Sequence, residues 1–230
     1  MIEKTLKTIN GKLQVKIPSS ITEITLGQMM EMQEKPDLND LDAISILSGI
    51  SLVDLLNIKN ANDLDVFGDC ILLLSDEIKN LYNSDIVPKS ILFTLGEQDI
   101  KLKVPRNLAI EPAGAFLAAR DIIAEEIKEH IDKFGGDDFE NLFNPSLNAC
   151  CHVLAYYFFC GVTGKKYNEY EAEEFCTVVK KLRVTEALPI AKHFFTCYPS
   201  LSKPKASFFH RLRQFWRKKR ESRHLKNSNI

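Results

Sequence analysis

LNACCHVLAYYFF, residues 147–159, places apolar side chains at nearly every angle around a helix. An amphipathic helix covers a core from one side, whereas one that is apolar all round must be enclosed by other elements. The stretch therefore predicts the central helix of a core, opened at Asn144-Pro145-Ser146 and running to about Cys160. It does not predict a membrane span, because the chain's longest apolar run, 153–162, is about half the roughly 20 residues such a helix needs.

The flanking sequence supplies the enclosure. Downstream, Asn168 caps a predicted helix over 169–182, and Thr185 or Glu186 opens a last body helix through Phe194 and Phe195, with Pro189 in its first turn. Upstream, Pro112 takes a first helical position, and the helix runs through Phe116, Ala119, Ile123 and Ile127 to about Phe134, where Gly135-Gly136 breaks it. Residues 90–105, SILFTLGEQDIKLKVP, alternate apolar and polar as a β-hairpin with Gly96 in its turn. A similar unit opens the chain. TLKTINGKLQVKIP, 5–18, puts Leu13, Val15 and Ile17 on one strand face, and Asn10-Gly11 reads as the turn because both residues accept positive φ. Thr25 with Gln28 then forms a capping box for a helix through Met29, Met30 and Met32. Helices follow at 40–48 (Asn39 capping, Gly49 closing), 51–57 and 63–82.

The two hairpin units align at one offset. Val15 matches Leu102, Pro18 matches Pro105, Gly27 matches Gly114 and Met30 matches Leu117, all 87 residues apart. An internal duplication accounts for this, and so does the shared pattern of any hairpin followed by a helix. The predicted fold is α+β and mostly helical, with two hairpins each followed by helices and a basic amphipathic helix at the C-terminus. The predicted divisions are 1–85, 86–202 and 203–230.

Charge is unevenly distributed. The chain holds 30 Lys and Arg against 31 Asp and Glu. Ten of the basic residues and one acid lie in 203–230, a local charge of +9, so the other 20 basic and 30 acidic residues leave −10 for the body. Such a split predicts an acidic body with a basic interaction arm. The N-terminus lacks the apolar stretch and cleavage site of a signal peptide, which predicts an unexported protein.

Chemistry finds little foothold. The sequence contains no Walker loop, GxGxxG, HExxH, GxSxG or EF-hand loop. The six cysteines include no CxxC pair and read as reduced core residues. Cys150, Cys151 and His152 are consecutive, so on a helix they point about 100° apart and do not converge on one ion. His152, inside the apolar helix, reads as a core or boundary histidine. Glu169, Glu171, Glu173 and Glu174 cluster in NEYEAEEF. They suit either a solvated helix start favoured by the helix dipole or an acidic docking surface for a basic arm. No cofactor or metal is expected.

The basic arm is FFHRLRQFWRKKRESRHLK, 208–226. On a helix, Phe209, Leu212 and Trp216 form one stripe, which Phe208 and Phe215 widen. Beyond Trp216 the stripe ends, and Lys219 and Arg223 take its angles. Arg213, Arg217, Lys218 and Arg220 complete a surface that is aromatic in its first turns and basic in its last. Four readings fit: a cap on the protein's own core with a solvated end, a subunit contact in which the aromatic half enters a groove and the basic half meets acid, a nucleic-acid contact, or a membrane surface. A pI near 6.5 counts against nucleic acid as the sole partner.

Two stretches carry a family resemblance. IPSSITEITLGQMMEMQE, 17–34, is similar to the openings of small virion-assembly proteins of tailed phages, where a strand ending at "IP" leads through Ser and Thr into an "IT-x-x-Q" helix start. YNEYEAEEFCTVVKKLRVTEALPIAKHFF, 167–195, resembles their late part, where a "Y…E…F…V" helix precedes an "ALPI…FF" helix. The nearest group is that of crAss-like and related phages of gut bacteria. The resemblance implies a non-enzymatic tail, neck or baseplate protein, acting as ring subunit, cargo or assembly chaperone. It would reside in the host bacterial cytoplasm during assembly and then in the virion. Its partners would be other virion proteins or copies of itself, with DNA contact through the C-terminal arm as the alternative.

Overall fold

The computed structural model describes residues 1–81, 86–105, 108, 112–134 and 143–197, with the backbone alone over 79–81. Two antiparallel hairpins are present: β1 (Ile2–Thr8) with β2 (Gly11–Ile17), and β3 (Ser90–Leu95) with β4 (Gln98–Lys103). The first is followed by a 3-10 turn at Ile21–Glu23, α1 (Leu26–Gln33), α2 (Asp40–Ser48), α3 (Leu52–Leu56), a second 3-10 turn at Ala61–Leu64, and α4 (Asp65–Leu81). The second is followed by α5 (Ala113–Phe134), α6 (Leu147–Thr163), α7 (Glu169–Glu174), α8 (Cys176–Val179) and α9 (Val184–Cys197). The fold is thus α+β and mostly helical, as the sequence predicts.

The central helix is α6. Twelve of its residues are buried, on all sides, and α5 and α9 flank it. Phe158 stacks against Phe93 of β3 at 5.2 Å and Phe194 of α9 at 5.8 Å between ring centroids, so one helix joins a hairpin to the last body helix. The helix runs past Cys160 to Thr163, because Gly164 supplies the left-handed residue (φ 67°) that closes it.

Each hairpin buries one face. In the first, Leu6 pairs with Leu13 and Ile2 with Ile17, which sets Leu6, Val15 and Ile17 into the core. This register makes the two-residue turn Ile9-Asn10 rather than the expected Asn10-Gly11, and Gly11 pairs with Thr8. A turn at Asn10-Gly11 would instead pair Leu6 with Val15, a two-residue shift that keeps the same faces but loses the Leu6–Leu13 and Ile2–Ile17 pairs. The second hairpin turns at Gly96-Glu97, pairing Leu95 with Gln98. Gly11 and Gln98, which start the second strands, stand 87 residues apart, as do Leu26 and Ala113, which start the helices.

Three further expectations are corrected. The helix predicted over 169–182 is broken at Phe175, whose buried ring packs 5.8 Å from Phe93 and 6.0 Å from Phe159. The last body helix starts at Val184, because the Val184 N–H donates to the Ile24 carbonyl at 2.9 Å, and Pro189 consequently lies inside the helix beyond its first turn. Pro112 stands just before α5, where its carbonyl accepts from the Phe116 N–H at 3.0 Å.

The halves interlock through backbone. Leu26 N–H donates to the Leu182 carbonyl and Gly27 N–H to the Lys180 carbonyl, both at 2.8 Å. Residues of both halves belong to one apolar cluster, from Leu6 and Val15 to Phe194 and Phe195.

Candidate functional site

Where α1, α2 and α4 meet, a cavity of about 490 Å³ opens on the surface. Met29, Met32 and Gln33 of α1 form one wall, Ile71, Leu72, Ser75 and Ile78 of α4 the other, with Leu38, Leu47 and Leu147 between them. The lining is almost wholly apolar. Leu72 is 68% exposed although it belongs to the longest helix of the first half. An exposed leucine continuous with an apolar groove extends the apolar surface that another apolar group could cover.

The rim is acidic. On α4, Asp65, Asp69 and Asp76 share the helical column of Leu72, at spacings of seven, three and four residues. On the other side, Asp40 at the start of α2 stands close to Gly68 of α4, whereas helical spacing turns Glu31 and Glu34 away from the groove-lining face of α1. Lys35, the basic residue of the turn into α2, is held by an ion pair to the buried Asp42 carboxylate, whose pKa it lowers. The groove thus offers an apolar floor with acids along its α4 side.

α1 does not offer its N-terminus as an anion site. Its four first N–H groups are satisfied internally: Thr25 by the Gln28 side chain, Leu26 and Gly27 by the Leu182 and Lys180 carbonyls, and Gln28 by the Thr25 hydroxyl.

A second cluster joins α6 and α8. Cys176 Sγ lies 3.7 Å from His152 Nδ1, and the Cys151 thiol lies 3.8 Å from the Cys176 carbonyl. The Cys151 side-chain hydrogen bond, and then His152, lower the Cys176 pKa against the effect of burial. His152 is raised in turn, chiefly by its Cys176 bond. A nucleophilic thiol needs ionisation and access. Cys176 is shifted towards ionisation but is only 8% exposed, so the arrangement works as an internal polar pair between two helices. No disulfide joins any of the six cysteines, and among the described residues no group of three His, Cys, Asp or Glu side chains could hold a metal ion.

The acids predicted as a docking surface sit together on α7, a six-residue helix capped by Asn168. Glu169, Glu173 and Glu174 are exposed; Glu171 is half-buried and ion-paired to Lys165. Glu173 accepts from the Tyr156 hydroxyl at 3.4 Å. The predicted arm, Phe208, Phe209, Leu212, Arg213, Phe215, Trp216, Arg217, Lys218, Lys219, Arg220 and Arg223, lies outside the described residues. No helix among the described residues is long and apolar enough to cross a membrane.

Sequence reasoning missed the groove. Its one local signal is the run Ile71-Leu72-Leu73-Leu74, which holds more apolar residues than one helical stripe can bury. Compared with protein-family models, curated proteins and solved structures, the chain matches none.

Proposed function

We propose that this chain is a non-enzymatic structural or assembly protein of a tailed-phage virion, a tail or neck ring subunit, cargo protein or assembly chaperone that acts through protein–protein contacts. The observation that carries the reading is the apolar groove with its acidic rim, a surface suited to an amphipathic basic segment and to no small polar substrate. The resemblance of 17–34 and 167–195 to virion-assembly proteins supplies the setting. Mass spectrometry of purified particles from a producing culture is expected to find the protein at several copies per particle. Absence from particles, with retention in complexes with virion proteins in the lysate, would favour the chaperone. Absence from both would overturn the proposal.

Nucleic-acid contact is the second reading, favoured by the ten basic residues of 203–230. Binding to duplex DNA that weakens steeply with salt would support it. The net charge of −10 on the rest of the chain opposes phosphate.

A further inference from the structure

We infer that the groove between α1 and α4 is the seat of the chain's own C-terminal segment, residues 208–223. The inference rests on the reading of that groove as a docking surface and names its first occupant.

Three observations converge. The first is shape and polarity. The groove is apolar along its floor and bounded by two helices, and the segment's sequence pattern sets Phe209, Leu212 and Trp216 in one stripe, the form in which a helix enters such a groove. The second is charge. Asp65, Asp69 and Asp76 follow the Leu72 column along the α4 wall. The segment carries Arg213, Arg217 and Arg220 along one side of its apolar stripe, so seating the stripe can bring them to the acids of the α4 wall.

The third is reach. The described chain ends at Cys197, and Phe195 in that last turn packs 5.7 Å from Phe143. Phe143 stands just four residues before Leu147, which lines the groove. The eleven-residue step from Cys197 to Phe208 spans up to about 36 Å when extended. A tether of this length gives the segment an effective concentration on the order of millimolar. It therefore outcompetes the same segment of a second copy at ordinary protein concentrations. A virion partner that uses the groove must displace it, and the segment thus sets a threshold for assembly.

The chain has one tryptophan, Trp216, so its fluorescence reports on this segment alone. The test uses the full chain and two neighbouring substitutions on α4. Leu72→Asn alters a groove wall; Leu73→Asn alters a leucine that does not line the groove. Both are about equally exposed, 68% and 70%, so neither change reaches the core. Asparagine is neutral and adds no acid to attract the basic flank.

The wild-type emission is expected to be blue-shifted and protected from acrylamide, unchanged on dilution, with a light-scattering mass of one chain. Leu72→Asn is expected to shift emission to the red and raise the quenching rate several-fold, while Leu73→Asn matches wild type. A solvent-exposed Trp216 in the wild type would overturn the inference, as would a Leu72→Asn variant indistinguishable from Leu73→Asn. A blue shift that vanishes on dilution as the mass falls from two chains to one would assign the groove to the segment of a second copy, and would also overturn it. An exposed Trp216 would leave the groove open to a virion partner, so the particle measurement decides the proposed function separately.

Discussion

A methyl group added at Gly114 would lie 2.5 Å from Tyr167 Cδ1, well inside carbon–carbon contact distance. One added at Gly27 would lie 3.1 Å from both Lys180 Cβ and the Lys180 carbonyl oxygen. Each glycine is the second residue of the helix that follows a hairpin, and each admits a segment from late in the chain. Helix geometry puts no demand on glycine here; the close neighbour does. Gly114→Ala is expected to cost about 1–3 kcal/mol in urea unfolding, as overpacking does. In a Tyr167→Ala background most of that cost should vanish, since the methyl then has room; simple additivity would show that Tyr167 is not the group it meets. The matched positions of Gly27 and Gly114 were visible in the sequence, but their purpose was not, because Lys180 and Tyr167 become neighbours only through tertiary packing.

At the scale of elements, legibility follows the range of the forces involved. The capping box of α1 and the Asn39 and Gly49 caps of α2 are settled within four residues of chain, and they stand where the sequence places them. Thr25→Ala removes the hydroxyl that accepts from Gln28 N–H at 3.2 Å and is expected to lower stability by about 1 kcal/mol. An unchanged urea midpoint would mean that the Leu182 and Lys180 carbonyls hold the helix end without the box. Phe175 shows the opposite case. Nothing local interrupts 169–182, yet the helix breaks there to let one ring pack against Phe93 and Phe159 from two other elements. The groove was hidden for the same reason: its walls come from α1, α2, α4 and the start of α6, and only the surplus leucines of α4 hint at it.

For the whole molecule, the predicted division between 85 and 86 precedes the second hairpin, while the apolar cluster runs through both halves. Thr25 and Arg183 form an isolated bridge, and backbone hydrogen bonds on either side of it tie the start of α1 to the segment entering α9. Urea unfolding followed by far-ultraviolet and near-ultraviolet circular dichroism is therefore expected to give coincident single transitions. Two separated transitions would show that the halves fold independently. The same tie has a consequence for synthesis. Leu26 and Gly27 leave the ribosome early, but the carbonyls that receive their N–H groups are made more than 150 residues later. At roughly 5–20 residues per second, the first half waits on the order of ten seconds or more with its helix start unpaired. Throughout that wait it is a nascent fragment that a cellular chaperone could hold and that a premature stop would leave unfinished.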